Sequence, residues 1–286
     1  MLACAGAMLM FSVMSAFAKY LSETHSVVEI AFYRNVIASL PFLAMAFLLG
    51  RRDILKVNAR PGLVVSRSVM GTFSLIATFA AYSAMPMADT SVLLFTASLF
   101  LPVLGVLFLG ERVGWIRASA VLVGFAGVAI MANPSGDASL YGVSMALTAA
   151  LMQAIMAIIL RQLGGSEKPE TVSLYFFLIG AVLTGFAMPF VATPPSAAEL
   201  PLLLGVGVAG ACAQFLYAVA LKLTPAAIVA VLNYTSIIWA TLLGWLIWNE
   251  WPLPVVLVGS AVVIGANALI AWRESRVRST QAPQNL

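Results

Sequence analysis

Apolar residues in this chain come in long unbroken runs, unlike the alternating or helical stripes that mark half-buried strands and surface helices. Stepping from one charge or Pro/Gly cluster to the next gives runs at residues 2–19, 29–49, 61–82, 86–109, 114–132, 139–162, 170–191, 200–221, 225–248 and 253–272. Each approaches the roughly 20 apolar residues that carry a helix across a bilayer. The pattern predicts an all-α integral membrane protein with ten transmembrane helices. The links Tyr82–Pro86 and Leu221–Pro225 are so short that the helices they join must form antiparallel hairpins.

Composition agrees. Of 286 residues, 62% are apolar and 9% charged, against roughly 45–50% and 25% in an ordinary soluble domain. That balance excludes a soluble enzyme, a disordered chain and a disulfide-stapled secreted domain. Cys4 and Cys212 sit in apolar stretches and predict no disulfide. The N-terminal run lacks a basic leader and continues to Lys19 without a cleavage site, so it reads as the first span and not as a signal peptide. The net charge of +4 marks loops and not nucleic-acid binding. With both termini inside, every loop Lys and Arg except Lys19 falls on the cytoplasmic side, and Arg34 and Arg67 lie within spans. Glu23, Glu29, Asp89, Asp137, Glu199 and Glu250 fall outside. A membrane protein with cytoplasmic ends follows, its basic tail at residues 273–286 serving as a topology anchor.

The chain also repeats itself. Met14, Lys19, Leu21 and Tyr33 match Met156, Arg161, Leu163 and Tyr175 at an offset of 142. Gly71, Pro86, Thr96, Gly105 and Glu111 match Gly210, Pro225, Thr235, Gly244 and Glu250 at an offset of 139, with Phe95 and Phe100 meeting Tyr234 and Trp239. These divide the chain into repeats at residues 1–134 and 135–272. Five spans per repeat is an odd number, so the second must enter the membrane from the opposite face. Inverted repeats let a central site open to either side.

Residues Thr90 to Val113, TSVLLFTASLFLPVLGVLFLGERV, form a small, apolar helix with an internal proline that ends in Gly-Glu-Arg. With Glu29 to Arg34 (EIAFYR) and the weaker copy Asn233 to Glu250, this stretch resembles the EamA family of the drug/metabolite transporter superfamily. Length and aromatic-rich spans are similar to the YddG-type exporters of aromatic and other amino acids. The resemblance implies a cavity walled by the first four spans of each half, with the fifth and tenth bracing the outside. The second half departs from the motif, since Asn249-Glu250-Trp251-Pro252 replaces Gly-Glu-Arg.

Polar groups are expensive inside a lipid span and normally face a cavity or another helix. Gln153, Gln214, Asn233 and Thr235 lie well inside the sixth, eighth and ninth runs and are candidates to bind a polar solute. Their competing role is interhelical hydrogen bonding, worth about 1 kcal/mol per bond. Asn233 stands out because its first-half counterpart is Leu94. Phe79, Tyr82, Phe95, Tyr217, Tyr234 and Trp239 suggest a ring-lined cavity for an aromatic or amphiphilic solute, against ordinary core packing or an interfacial belt. Asn233, Tyr234 and Trp239 cannot all share one helical stripe. Met14 and Met156 would be an adaptable lining or lipid-facing filler. Arg34, Arg67 and Lys19 either snorkel to water or act as gating groups. In the second case Arg34 pairs with Glu29, or an arginine holds a solute carboxylate.

No Asp or Glu falls near the centre of a run, and the single histidine, His25, belongs to an outer loop. Proton coupling therefore lacks a titrating group at depth. Gly205 to Gly210 (GVGVAG) lies in a span without a βαβ context and reads as a helix-packing stretch. Neither a nucleotide-binding nor a metal motif is present, so no cofactor is expected. The sequence thus predicts a monomeric carrier, not an enzyme, that exports small metabolites, aromatic or neutral amino acids foremost, by facilitated diffusion or exchange. The alternatives are a multidrug or amphiphile exporter, and beyond that a membrane-embedded enzyme or scaffold.

Overall fold

Long apolar runs become helices because lipid offers no partner to a backbone N–H or C=O, and only an intrahelical ladder satisfies them all. The computed structural model describes residues 2–57, 60–109, 114–132, 139–163, 167–223 and 226–281. Glu111, Arg112, Asp137, Pro225 and the end of the tail lie outside these residues. The helices are α1 (Leu2–Leu21), α2 (Val27–Phe47), α3 (Pro61–Ala84), α4 (Met87–Leu94), α5 (Ala97–Leu109), α6 (Trp115–Ala132) and α7 (Leu140–Leu163). They continue as α8 (Pro169–Gly185), α9 (Met188–Val191), α10 (Leu200–Leu223), α11 (Ala226–Asn233), α12 (Thr235–Trp248) and α13 (Pro254–Gln281). A single 3-10 turn, Arg52–Leu55, interrupts the α2–α3 loop, and no strand occurs among the described residues.

Local chemistry sets the ends. The Ser26 hydroxyl caps α2 by accepting from Val28 N–H at 3.3 Å, while Pro61 and Pro169 occupy the first turns of α3 and α8, where no amide partner is needed. Asn249 closes α12 in the left-handed region at φ 56°, a conformation asparagine tolerates. Glu250 N–H then bonds back to Gly244 O at 3.1 Å.

Among the described residues, seven stretches are long and apolar enough to cross a membrane, and Ala118–Met131, Pro169–Gly185 and Pro254–Ile270 are shorter apolar helices. The fourth and ninth runs, expected as single helices, are each broken in the middle, at Phe95–Thr96 and at Tyr234. Both breaks use the same chemistry. The Thr96 hydroxyl donates to Leu93 O and the Thr235 hydroxyl to Leu232 O, each at 2.7 Å, which competes with the helical ladder. Pro102 within α5 adds a missing N–H in the first half. The seventh run, expected to reach residue 191, is interrupted at Phe186–Ala187. The tenth does not stop at residue 272, and α13 runs on to Gln281.

Helix pairings come in twos. α1 packs along α10 and α12, and α7 packs along α3 and α5. α2 packs on α10 and α8 on α3, while α2–α8 and α6–α13 pair directly. The α6–α13 contact is close because Gly127 and Gly259 let the backbones meet, and a Cβ on Gly259 would fall 2.8 Å from Gly127 O. α1 runs toward the end of the molecule that holds Lys19, Met85, Gly142, Glu199 and Glu250, whereas α7 starts from that end. The α2–α3 and α7–α8 loops meet at the opposite end through Lys168–Asp53 and Arg60–Gln162 contacts.

Candidate functional site

Polar and aromatic side chains gather in three places. At the first end, Lys19 Nζ donates to Met85 O at 2.9 Å and to Glu250 Oε1 at 2.5 Å. The other Glu250 oxygen accepts Met87 N–H at 3.1 Å, and the Trp248 ring lies 5.0 Å from the ammonium. One lysine thus ties α1 to the start of α4 and the end of α12. Beside it, His25 is 5% exposed, with Nδ1 3.2 Å from Glu29 and Nε2 3.4 Å from Glu199. Glu29 also accepts from Thr193 N–H and hydroxyl at 3.2 and 3.3 Å. The Ser196 hydroxyl and N–H and the Thr24 hydroxyl hold the Glu199 carboxyl down at about 2. The Glu29–Arg34 pair, one alternative for these residues, is absent, because Glu29 turns to His25 and Thr193.

The second place holds the two helix breaks. Phe95 and Tyr234 stack with centroids 4.6 Å apart and planes 17° off parallel. The Ser98 hydroxyl lies 2.6 Å from both Phe95 O and Asn267 Oδ1, sharing its one proton between them, and Asn267 Nδ2 donates to Phe95 O at 3.4 Å. One residue before the stack, Asn233 turns elsewhere: its Nδ2 donates to the Tyr217 hydroxyl at 3.5 Å, and its Oδ1 accepts from Cys4 Sγ at 3.8 Å. Tyr217 packs edge-on to Phe11. The sequence candidates Phe95 and Tyr234 therefore meet, Asn233 and Tyr217 meet on another wall, and the hydroxyl of Thr235 is spent on its own helix. Trp239 Nε1 is buried without a partner. Gln153 and Gln214 are partly exposed and hydrogen-bond no described residue. Phe79 and Tyr82 belong to packed clusters, Phe79 beside Met14 and Tyr82 beside Met87 and Ala240.

An arginine cluster joins α2, α3 and α8. Arg34 does not snorkel: it is 1% exposed, and its Nη1 donates to Asn35 Oδ1 at 2.9 Å. Its Cζ sits 5.2 Å from the Phe176 ring centre and 4.9 Å from that of Phe177. Arg67 Cζ approaches the same Phe176 ring at 4.8 Å. Two small residues make the room. A Cβ on Gly71 would fall 2.9 Å from Phe176 and 3.1 Å from Met156 Sδ, and one on Gly210 2.9 Å from Arg34 Nε and 3.1 Å from Met14 Sδ. The matched glycines thus face the matched methionines. Sequence reasoning missed Phe176, although it stands 142 residues after Arg34, the offset that aligned Tyr33 with Tyr175. The Lys19–Glu250 pair and the His25–Glu199 contact carried no signal, since each joins residues distant in the chain.

Set beside known proteins, residues 1–133 and 140–272 each match the EamA-like transporter family. The chain is 32% identical over 264 residues to the pseudopaline exporter CntI of Pseudomonas aeruginosa, covering 90% of each. It is 29% identical to a riboflavin transporter of Rhizobium johnstonii, over 83% of this chain and 78% of that one. It is 26% identical to an S-adenosylmethionine uptake transporter of Rickettsia bellii, over 91% and 89%. A solved crystal structure superposes with a TM-score of 0.67 at 19% identity, covering 96% of this chain and 97% of the other, so the fold is shared. None of these relatives is named for amino-acid transport.

Proposed function

The chain belongs to the EamA-like transporter family, and from that premise we propose that it carries a small organic metabolite across a bacterial inner membrane by alternating access. Two five-span halves of opposite orientation, with both termini cytoplasmic, rock about the stacked helix breaks. The observation that carries this reading is the Phe95–Tyr234 pair. Each ring stands at the interruption of its own helix, at matching places in the two halves, and the rings touch. Paired discontinuous helices at corresponding positions are where transporters built from repeats place their sites. The opposite starting ends of α1 and α7, and the twofold matching of helix pairs, favour the inverted arrangement.

The Lys19–Glu250 bridge and the His25 cluster act as the seal of one mouth, and α4–α5 and α11–α12 flex at their breaks when it opens. The site then reaches the other side. The solute bears an apolar or aromatic part that packs on rings. Export of neutral and aromatic amino acids is the substrate reading that the residues favour, supported by the ring-rich centre and not by the relatives' names.

Two measurements test this. Cysteines placed at exposed Trp115 and Trp251, in a chain freed of Cys4 and Cys212, should react with an impermeant reagent from opposite faces of the membrane. Counterflow of labelled phenylalanine into proteoliposomes should exceed that of sugars. Labelling from one face removes the inverted arrangement. Flux of no metabolite in a panel of amino acids, nucleosides and organic acids removes the carrier reading.

A further inference from the structure

Two cations, Arg34 buried and Arg67 half-buried, share one ring in this protein, and the surrounding chain gives them no counter-charge. Arg34 Nε, Arg67 Nε and Nη1, and Asn35 Nδ2 are buried without a hydrogen-bond partner, and no described carboxylate forms an ion pair with either arginine. Folded proteins seldom leave this uncorrected, because a buried charge needs a partner and a buried donor an acceptor. The faces of Phe176 and Phe177 attract guanidinium groups, but a ring accepts few of the N–H donors and offsets only part of the desolvation. What the cluster lacks is a compact anion with several acceptor oxygens. A guanidinium edge matches a carboxylate in geometry as well as charge.

We propose that Arg34 and Arg67, gathered on Phe176, form the anion-binding half of the substrate site, so that the carried solute bears a carboxylate. The inference rests on the carrier reading above and narrows its substrate class. The methionines and glycines around the cluster fit the role. Met14 and Met156 repack around guests of different shape, and Gly71 and Gly210 leave the guanidinium and ring unobstructed. A structural role for the arginines predicts the reverse of what an empty anion site does when a charge is removed. Glue weakens the fold when deleted, whereas removing an uncompensated buried charge relieves it.

The test compares acids with their neutral amides on the purified full-length protein. Thermal unfolding is followed with phenylacetate, phenylacetamide, succinate, succinamide and inorganic phosphate, and the same solutes compete against labelled counterflow. The acids should raise the unfolding midpoint and compete at least tenfold better than the amides. Arg67→Met should unfold no lower than the unsubstituted protein when no solute is added, and should lose the acid-specific shift, whereas Arg67→Lys should keep part of it. Acids and amides that act alike, an Arg67→Met protein that keeps the preference, or protection by phosphate alone would each overturn the proposal. An acid-specific shift without flux of any solute would count against the carrier reading and leave the anion site standing.

Discussion

The two ends of this molecule are held shut in different ways. At the Lys19 end the ion pair is largely buried, with side chains 10% and 23% exposed, and it is braced by Met85 O, Met87 N–H and an indole face. At the Asp53 end the ion pairs are exposed, Lys168–Asp53 at 46% and 42% and Arg51–Glu170 at 43% and 37%, beside a buried Glu167 that accepts Arg60 N–H at 3.3 Å. Burial decides what such pairs are worth. Water and salt screen the second set to almost nothing, while breaking one partner of the first strands a charge in a poor solvent. The difference teaches that the ion pair at the Lys19 end is the more strongly held; under the carrier reading proposed above, that end is the sealed mouth of this state.

The largest effect should follow from breaking the seal. Lys19→Met leaves the Glu250 carboxylate without its ammonium. Discounted for partial exposure, the loss is about 1–3 kcal/mol, a shift of roughly five- to 150-fold toward the open mouth. A cysteine at buried Ser91, just behind the seal, reports it. Its reaction with an impermeant thiol reagent should accelerate by that factor, and the exchange of Lys19→Glu with Glu250→Lys should restore much of the protection. An unchanged rate would mean that the seal lies elsewhere and that the two ends are alike.

A smaller effect belongs to the hinge between the ends. Offset aromatic pairs contribute about 0.5–1.5 kcal/mol beyond simple burial. Phe95→Ala and Tyr234→Ala should each slow counterflow several-fold, and the double variant should be less impaired than the product of the two. Strict additivity would separate the rings, and the two breaks would then move independently.

The sequence showed the frame of this comparison and little of its fastening. Apolar run length located the helices, since the bilayer punishes any other backbone, and the offsets aligned Phe95 with Tyr234 and Met14 with Met156 before any contact was known. The breaks were hidden because Thr96 and Thr235 are small enough to read as ordinary span residues. Their effect is a hydroxyl competing for one carbonyl, which hydropathy does not register. Glu29 illustrates the opposite failure. Its spacing from Arg34 suggested a pair along one helix, but the carboxylate found His25 one turn back and Thr193 from a distant loop, which left the arginine to Phe176. Of the expected polar lining, Asn233 found Tyr217, whereas Gln153 and Gln214 hydrogen-bond no described residue. Side-chain direction on a uniformly apolar helix has no stripe to reveal it.

The smallest effect should come from the Asp53 end. The Lys168 hydrogen bond and charge, with Arg51 nearby, hold the Asp53 carboxyl below its usual range. Its contacts are therefore complete above the ordinary carboxylate range and are lost only as pH falls through the lowered folded value. Between pH 7 and 5 the end should stay as it is. Asp53→Asn, which removes the charge at any pH, should change transport by less than about twofold, and added salt should shrink even that. A tenfold loss in Asp53→Asn would mean that this exposed lacing bears as much of the conformational equilibrium as the buried Lys19 seal. Exposure would then be a false guide to which mouth is closed, and the assignment of the resting state would pass to whichever end labels more slowly.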